Sequence, residues 1–498
     1  MSANAFKLFR IRGGVHPESH KEATAHTPIM EMATPRRLYI PLQQHIGAPA
    51  EPVVRRGDRV LKGQLLARSQ GMISAPVHAP TSGTIVSIGK HPAPHPSGLP
   101  VRTVIIESDG QEEWIDLPAP IDPFELSPEE VARRVAEAGI VGMGGATFPS
   151  AVKLGLGQRY QLHTLVLNGA ECEPYLTCDD RLMQEQAGEI IDGIRIMMHG
   201  LGVKRAIVAL EGNKPEALSA MKQAAADDAG IDIVAVPVQY PMGSEKHLVQ
   251  TLTGKETPAR GLTADIGIVV HNVATAHAVH QAVRHHRPLI SRVVTVSGEA
   301  IDKPANVLVP IGTRVSELLD LCNGFRAEPA QLLSGGPMMG QPLPNTEVPI
   351  VKGSGAVLAL SAGEVAEQPV MPCIRCGACV QACPCGLVPL EMAAYSRKGD
   401  MDGASRIGLM DCISCGSCSY VCPSHIPLVQ YFNHAKGAVR EQDKAKAKQE
   451  EIKLLTAARN ERLERQAQAK REMMAKRKAE AEAKKKQKQQ AEATEANA

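Results

Sequence analysis

Cys373-Ile-Arg-Cys376-Gly-Ala-Cys379-Val-Gln-Ala-Cys383-Pro384 is followed by a second run of the same form. That run is Cys412-Ile-Ser-Cys415-Gly-Ser-Cys418-Ser-Tyr-Val-Cys422-Pro423. Each reads C-x2-C-x2-C-x3-C-P. Three thiolates this close wrap one corner of an iron–sulfur cubane, and the fourth is turned toward a different centre. The proline after each fourth cysteine directs the chain away from the site. Zinc sites pair two C-x2-C units across a longer gap and do not repeat this run.

The spacing is the signature of two-cluster ferredoxins. It predicts a double [4Fe–4S] ferredoxin-like domain over residues 369–432 that moves electrons. One cluster is expected on Cys373, Cys376, Cys379 and Cys422, and the other on Cys383, Cys412, Cys415 and Cys418. Cys385 reads as a packed thiol, with exchange into the ligand set as the lesser alternative. Cys172, Cys178 and Cys322 lie outside the runs and read as non-ligands.

The rest of the 498-residue chain is too long for one core and reads as multidomain α/β and α+β. Only 3% of residues are aromatic, while glycine (43) and proline (36) are plentiful, which favours small β-modules and glycine-lined loops over a helical bundle. The segment from Lys436 onward holds 18 Lys/Arg against 11 Asp/Glu, so the body is mildly acidic and the tail basic. A body of that sign excludes nucleic acid as a main partner. The start lacks an apolar signal core, and no apolar run reaches the ~18–20 residues needed to span a bilayer. A soluble or membrane-peripheral protein is expected.

Within residues 1–125, Val53-Val-Arg-Arg-Gly-Asp-Arg-Val-Leu-Lys-Gly-Gln-Leu-Leu-Ala67 precedes Ala75-Pro-Val-His-Ala-Pro-Thr-Ser-Gly-Thr-Ile-Val-Ser-Ile88. These stretches resemble the biotinyl/lipoyl barrel-sandwich hybrid, with Gly-Asp and Ser-Gly supplying hairpin turns. No lysine lies between Lys62 and Lys90, so the hairpin has nothing to modify and the module reads as structural. Residues 126–290 alternate strand-like and helix-like pieces. Strands are expected at Thr164–Leu167, Arg205–Leu210, Ile231–Val236 and Ile266–Val270, with a Ser127-capped helix before them. Residues 291–345 resemble the ubiquitin-like SLBB domain, and 346–368 read as a linker. The charged tail, 433–498, reads as a solvated helix or a disordered extension, with attraction to anionic lipid or an acidic partner protein as the sharper alternative.

Inside 126–290, Ala138-Gly-Ile-Val-Gly-Met-Gly-Gly-Ala-Thr-Phe-Pro-Ser-Ala-Val-Lys153 is a glycine-rich loop entering a helix at Phe148-Pro149-Ser150, where amides can face a phosphate. Asn168-Gly-Ala-Glu171-Cys-Glu-Pro174 follows a strand, and Tyr240-Pro-Met-Gly-Ser-Glu245-Lys and Val270-His-Asn272 add further polar turns. Together they resemble the NADH-binding flavoprotein subunit of respiratory complex I, whose corresponding segments bind FMN and NADH. Carried across, the resemblance implies Gly142, Gly144, Lys153, Asn168, Glu171, Tyr240, Glu245 and Asn272 as the FMN/NADH-binding residues. Met143 replaces the usual loop arginine, Ala170 and Ser244 replace acids, and His271 replaces an asparagine.

The order of domains, with Arg12-Gly-Gly-Val-His-Pro17 at the start, resembles the RnfC (also called RsxC) family of the Rnf/Rsx ion-translocating oxidoreductases. That resemblance implies a peripheral subunit on the cytoplasmic face of a bacterial inner-membrane complex. It also implies a translocase-type oxidoreductase activity that passes electrons between NADH, FMN, two cubanes and membrane partners. Integral membrane subunits and a ferredoxin-like subunit would be those partners, with Na⁺ or H⁺ moved in consequence. A soluble flavin/Fe–S reductase of the cobalamin-reductase type shares this domain order and is the alternative. The run His271…His277…His280…His285-His286 invites a metal reading, but no carboxylate follows at ligand spacing, and ordinary helix histidines are expected.

Overall fold

The computed structural model describes residues 6–95, 97–365 and 368–495. Parts of the N-terminal region, the linker and the tail as delimited above (1–5, 96, 366–367 and 496–498) lie outside the described residues.

Alternating apolar residues near the start close two small antiparallel sheets on each other. Arg37–Pro41, Pro100–Ser108, Gly83–Pro92 and Arg59–Val60 form one sheet in that spatial order, and Glu51–Pro52, Leu65–Arg68 and Val77–His78 form the other. Leu38, Ile40, Val60, Leu66, Ile85, Val104 and Ile106 fill the space between them. Lys62 pairs with Glu112 and lies 5.4 Å from the Trp114 ring, so it braces the module from outside.

The next unit is a parallel sheet with spatial order Ile231–Val236, Ala206–Glu211, Thr164–Gly169, Ile268–Asn272. All six residues of Ala206–Glu211 are buried, as a strand covered on both faces must be. The helix Pro128–Glu137 starts where Ser127 Oγ accepts from the Glu130 amide at 3.2 Å. The order in which the chain adds strands reverses between Thr164–Gly169 and Ile268–Asn272. That topological switch point opens a crevice at the strands' carboxyl ends.

A six-stranded sheet follows, ordered Met30–Glu31, Ala305–Pro310, Ser291–Ser297, Ala356–Leu360, Gln331–Ser334, Gln341–Pro342. Ala356–Leu360 corrects the linker expectation for 346–368: all five residues are buried in the middle of this sheet. An unbroken apolar run of five carries no alternation to mark it as a strand, but it cannot be left in solvent.

The cysteine lobe uses the same turn twice. Arg375 and Gly377 have φ of 55° and 80°, and Ser414 and Gly416 have 57° and 80°. Left-handed residues on either side of the second cysteine tip successive amides inward, which suits an anionic centre. Met392, Ala404, Leu409, Leu428 and Phe432 pack beneath. From Leu428 one helix runs to Glu495, its later turns exposed, so the tail is a solvated helix. Lys436 anchors its first turns by donating to the Cys412 carbonyl and to Ser414 Oγ.

The histidine run is tied to carboxylates on a neighbouring helix. His277 Nε2 lies 3.0 Å from Glu189, and Asp192 accepts from His280 at 2.6 Å and Arg284 at 2.7 Å. These contacts lace the helices Ala187–Leu201 and Val273–His285 together.

Lys352 joins three units. It is fully buried, and its Nζ donates to the carbonyls of Pro76 (2.8 Å) and Gly139 (2.7 Å). Burial lowers its pKa to about 7. Replacing it by methionine strands two buried carbonyls. Lys352→Met is therefore expected to cost about 2–4 kcal/mol, read as a lowered thermal midpoint. An unchanged midpoint would mean that the two carbonyls find other donors.

Candidate functional site

The crevice at the switch point is built from strand ends and the glycine loop. Asn168 and Asn272 are register partners on the two flanking strands. Asn168 Nδ2 donates to the Gly243 carbonyl at 2.8 Å, and Asn272 Nδ2 donates to the Asn168 carbonyl at 3.3 Å and to Asp179 at 2.5 Å. Lys153 projects from the short helix Ser150–Leu154 and donates to Glu245 at 3.0 Å and to the Val270 carbonyl at 2.9 Å. Thr263 Oγ donates to the other oxygen of Glu245 at 2.7 Å.

The glycine loop lies directly above. A Cβ on Gly144 would meet Asn272 Cβ at 3.4 Å, whereas one on Gly145, at φ +100°, would meet nothing within 4 Å. The loop is therefore thin on one side and open on the other, as a backbone that receives a ligand must be. Gly142 closes the loop through paired bonds, its amide to the Phe148 carbonyl and its carbonyl from the Thr147 amide. The Met143 amide donates to Thr275 Oγ.

Glu171, at φ +49°, caps the next helix by accepting from the amides of Asp179 (2.8 Å) and Asp180 (3.2 Å). Burial, with the Glu171 charge beside it, pushes the Asp179 carboxyl up to about 7. Ser150 Oγ and His271 Nε2 are buried beside Lys153 and Asn272 in sequence and have no hydrogen-bond partner. Open glycine backbone, a lysine and the unpartnered Ser150 hydroxyl and His271 ring nitrogen fit a phosphate-bearing flavin. Asp179, Thr263 and Thr275 were not singled out from sequence. Thr177-Cys-Asp179-Asp180 does carry a readable signal, since acids after a threonine mark a helix start.

Tyr240 faces elsewhere. It is buried, and its hydroxyl donates to the Cys415 carbonyl at 2.7 Å. Its backbone exchanges both hydrogen bonds with Val15, at 2.8 and 2.9 Å. The adjoining Gly14 amide donates to the Ala382 carbonyl at 3.0 Å. A Cβ on Gly13 would stand 2.6 Å from the Cys383 carbonyl, and one on Gly14 would stand 2.7 Å from the Tyr240 carbonyl. The Arg12-Gly-Gly-Val-His-Pro17 segment is thus a thin spacer between the flavin-type unit and the cysteine lobe. His247 adds a ring contact to the Pro384 carbonyl at 3.1 Å.

In that lobe Cys383, Cys412, Cys415 and Cys418 line one cavity walled by Leu387, Met392 and Phe432. Cys385 lines it too. Amides point at sulfur: Leu387 N–H at Cys383 and Ser414 N–H at Cys412, both at 3.4 Å. Four converging thiols with amide donors suit a cubane. Cys373 and Cys376 are exposed and lie close enough to Cys379 to raise its pKa, after burial has done so. Cys422 is half-buried beyond the short helix Ser417–Tyr420.

Four family profiles match in chain order: the RnfC barrel sandwich hybrid domain at 9–111, the Nuo51 FMN-binding domain at 135–281, SLBB at 293–342 and a 4Fe-4S dicluster domain at 372–426. The C subunit of the ion-translocating oxidoreductase complex of Rhodobacter capsulatus is 59% identical over 88% of this chain and 85% of its own length. Its counterpart in the proton-translocating ferredoxin:NAD(+) oxidoreductase complex of Clostridium ljungdahlii is 46% identical over 88% of this chain and 96% of its own. The corresponding Pseudomonas aeruginosa protein is 46% identical over 92% of this chain and 59% of its own. Among the described residues no helix is long and apolar enough to cross a membrane. The chain belongs to the RnfC family of ion-translocating oxidoreductase complexes, as an electron-transfer subunit that uses FMN and two [4Fe–4S] clusters.

Proposed function

We propose that this chain is the NADH-side electron entry of its complex, peripheral on the cytoplasmic face of the bacterial inner membrane. It exchanges electrons with a ferredoxin-like subunit and with integral membrane subunits, where Na⁺ or H⁺ moves. The observation that carries this reading is the close packing of Tyr240 and Gly13–Gly14 between the flavin-type crevice and the cysteine cavity. Relatives named as complex subunits disfavour a self-contained soluble reductase.

When bound, FMN would supply hydride chemistry toward NADH, and the cubanes would supply single-electron transfer. The chain's own residues supply the rest. Lys153, Ser150 and the open backbone at Gly144 and Gly145 would hold the flavin phosphate, with Gly142 closing the turn that presents them. Asn168 and Asn272 orient the ring, and Glu245 fixes the Lys153 ammonium. Glu171 and Asp179 sit below Asn272, and burial beside the Glu171 charge raises the Asp179 carboxyl, which favours its neutral form and limits repulsion of an anionic ligand. Tyr240 fixes the cluster lobe against this unit. Cys383, Cys412, Cys415 and Cys418 hold the cluster nearer Tyr240, and Cys373, Cys376, Cys379 and Cys422 hold the more exposed one.

Anaerobic purification of the tagged chain from membranes tests the reading. About eight irons, matching sulfide and one flavin per chain are expected, together with hydrophobic partner subunits. A colourless chain, or an active monomer never associated with membranes, would overturn it. Lys153→Met removes the cation of the crevice and is expected to weaken flavin retention on gel filtration about tenfold or more. Full retention would remove Lys153 from the phosphate site.

A further inference from the structure

One buried carboxylate at the junction has no part in the scheme above. Glu173 lies two residues past Glu171, and its Oε2 accepts from the Met338 amide at 3.0 Å. A Cβ on Gly336 would fall 2.2 Å from that oxygen, so the 335–340 turn is closed down on the carboxylate. The same turn reaches the cluster lobe, since a Cβ on Gly416 would fall 2.8 Å from the Met338 carbonyl. Glu173 Oε1 is sealed from solvent and has no hydrogen-bond partner, although the residue as a whole is half-buried.

The tyrosine beside it bears on the missing partner. The Met339 amide and the Tyr240 hydroxyl also interact with the Glu173 carboxyl. That hydroxyl has one proton, and the proton is already donated to the Cys415 carbonyl. An ionised Glu173 therefore offers lone pairs to an oxygen with nothing left to give. A protonated Glu173 can instead donate to the Tyr240 oxygen and complete a chain from Glu173 through Tyr240 to Cys415. Burial pushes the Glu173 carboxyl up to about 7, so both forms are accessible near neutral pH. The other titratable groups facing it are Cys172 and Lys21, and Lys21 is occupied by the carbonyls of Glu171, Glu173 and Leu176.

We propose that Glu173 takes up a proton when the cluster lined by Cys383, Cys412, Cys415 and Cys418 is reduced, coupling electron entry at this junction to proton uptake. One electron, supplied by NADH through the flavin, takes the cluster from its 2+ to its 1+ state. One solvent proton converts the Glu173 carboxylate to the acid, which donates to Tyr240. The added negative charge on the cluster side raises the affinity of the carboxylate for that proton. By linkage the cluster is easier to reduce where the proton is available.

The inference rests on the cluster assignment proposed above. Its test is a redox titration of the intact iron-loaded chain, followed by electron paramagnetic resonance at several pH values. In the unaltered protein the midpoint of this cluster is expected to be flat below about pH 7 and to fall as pH rises above it. In Glu173→Gln that fall is lost. A pH-independent midpoint in the unaltered chain, or the same fall in Glu173→Gln, overturns the inference. If Glu173→Gln does not fold, the reduced-minus-oxidised infrared difference of the unaltered chain decides. A gained carboxylic-acid carbonyl band supports proton uptake, and its absence overturns it. An iron content short of two cubanes would instead fail the cluster assignment, so the two failures are distinguishable.

Discussion

The architecture depends on a close approach that only glycine permits. Gly13 and Gly14 pass between the Cys383 carbonyl and the Tyr240 strand, with would-be Cβ distances of 2.6 and 2.7 Å. Both residues have positive φ, at 61° and 83°. Any side chain here would force the cysteine lobe away from the parallel-sheet unit or strain the backbone. The hydrogen bonds on either side, Val15 with Tyr240 and Gly14 to Ala382, depend on that thinness. So do the Tyr240–Cys415 and His247–Pro384 contacts that flank it.

Around this junction the chain sorts its polar groups by task. In the crevice, Lys153 pairs with Glu245, while Asn272 donates to the Asn168 carbonyl and Asn168 to the Gly243 carbonyl. Among the described residues only a few buried side-chain atoms lack partners, and three of these, on Ser150, His271 and Glu173, lie close in sequence to crevice or junction residues. Buried polar atoms left unpaired cost about 1–3 kcal/mol each. At a ligand-binding and electron-transferring region such unpaired atoms have a use, because a bound group can supply their partners. Elsewhere the polar contacts are structural, as with Lys352 between three units and Asp192 between two helices.

Much of this was legible in the sequence because it was written in local spacing. The eight cysteines, the Ser127 cap, the four parallel strands and the apolar runs of the N-terminal module all declare themselves within a dozen residues. The strand Ala356–Leu360 did not, because an isolated apolar run carries no period. Tyr240 could be named but not aimed. Its hydroxyl finds Cys415 across 175 residues of sequence, a contact set by tertiary packing alone. The same holds for Glu173 against Met338 and for the glycine pair against Cys383. The Arg12–Pro17 segment could mark the resemblance, but its role as a spacer exists only in three dimensions.

In the proposed electron path, the Gly13–Gly14 spacer holds the flavin crevice against the cysteine lobe. Rapid anaerobic mixing of NADH with Gly13→Val, loaded with flavin and both clusters, tests it most directly. Flavin bleaching is expected to be retained while cluster reduction slows by orders of magnitude relative to the unaltered chain. Cluster reduction at the unaltered rate in a variant with full cofactor content would contradict it.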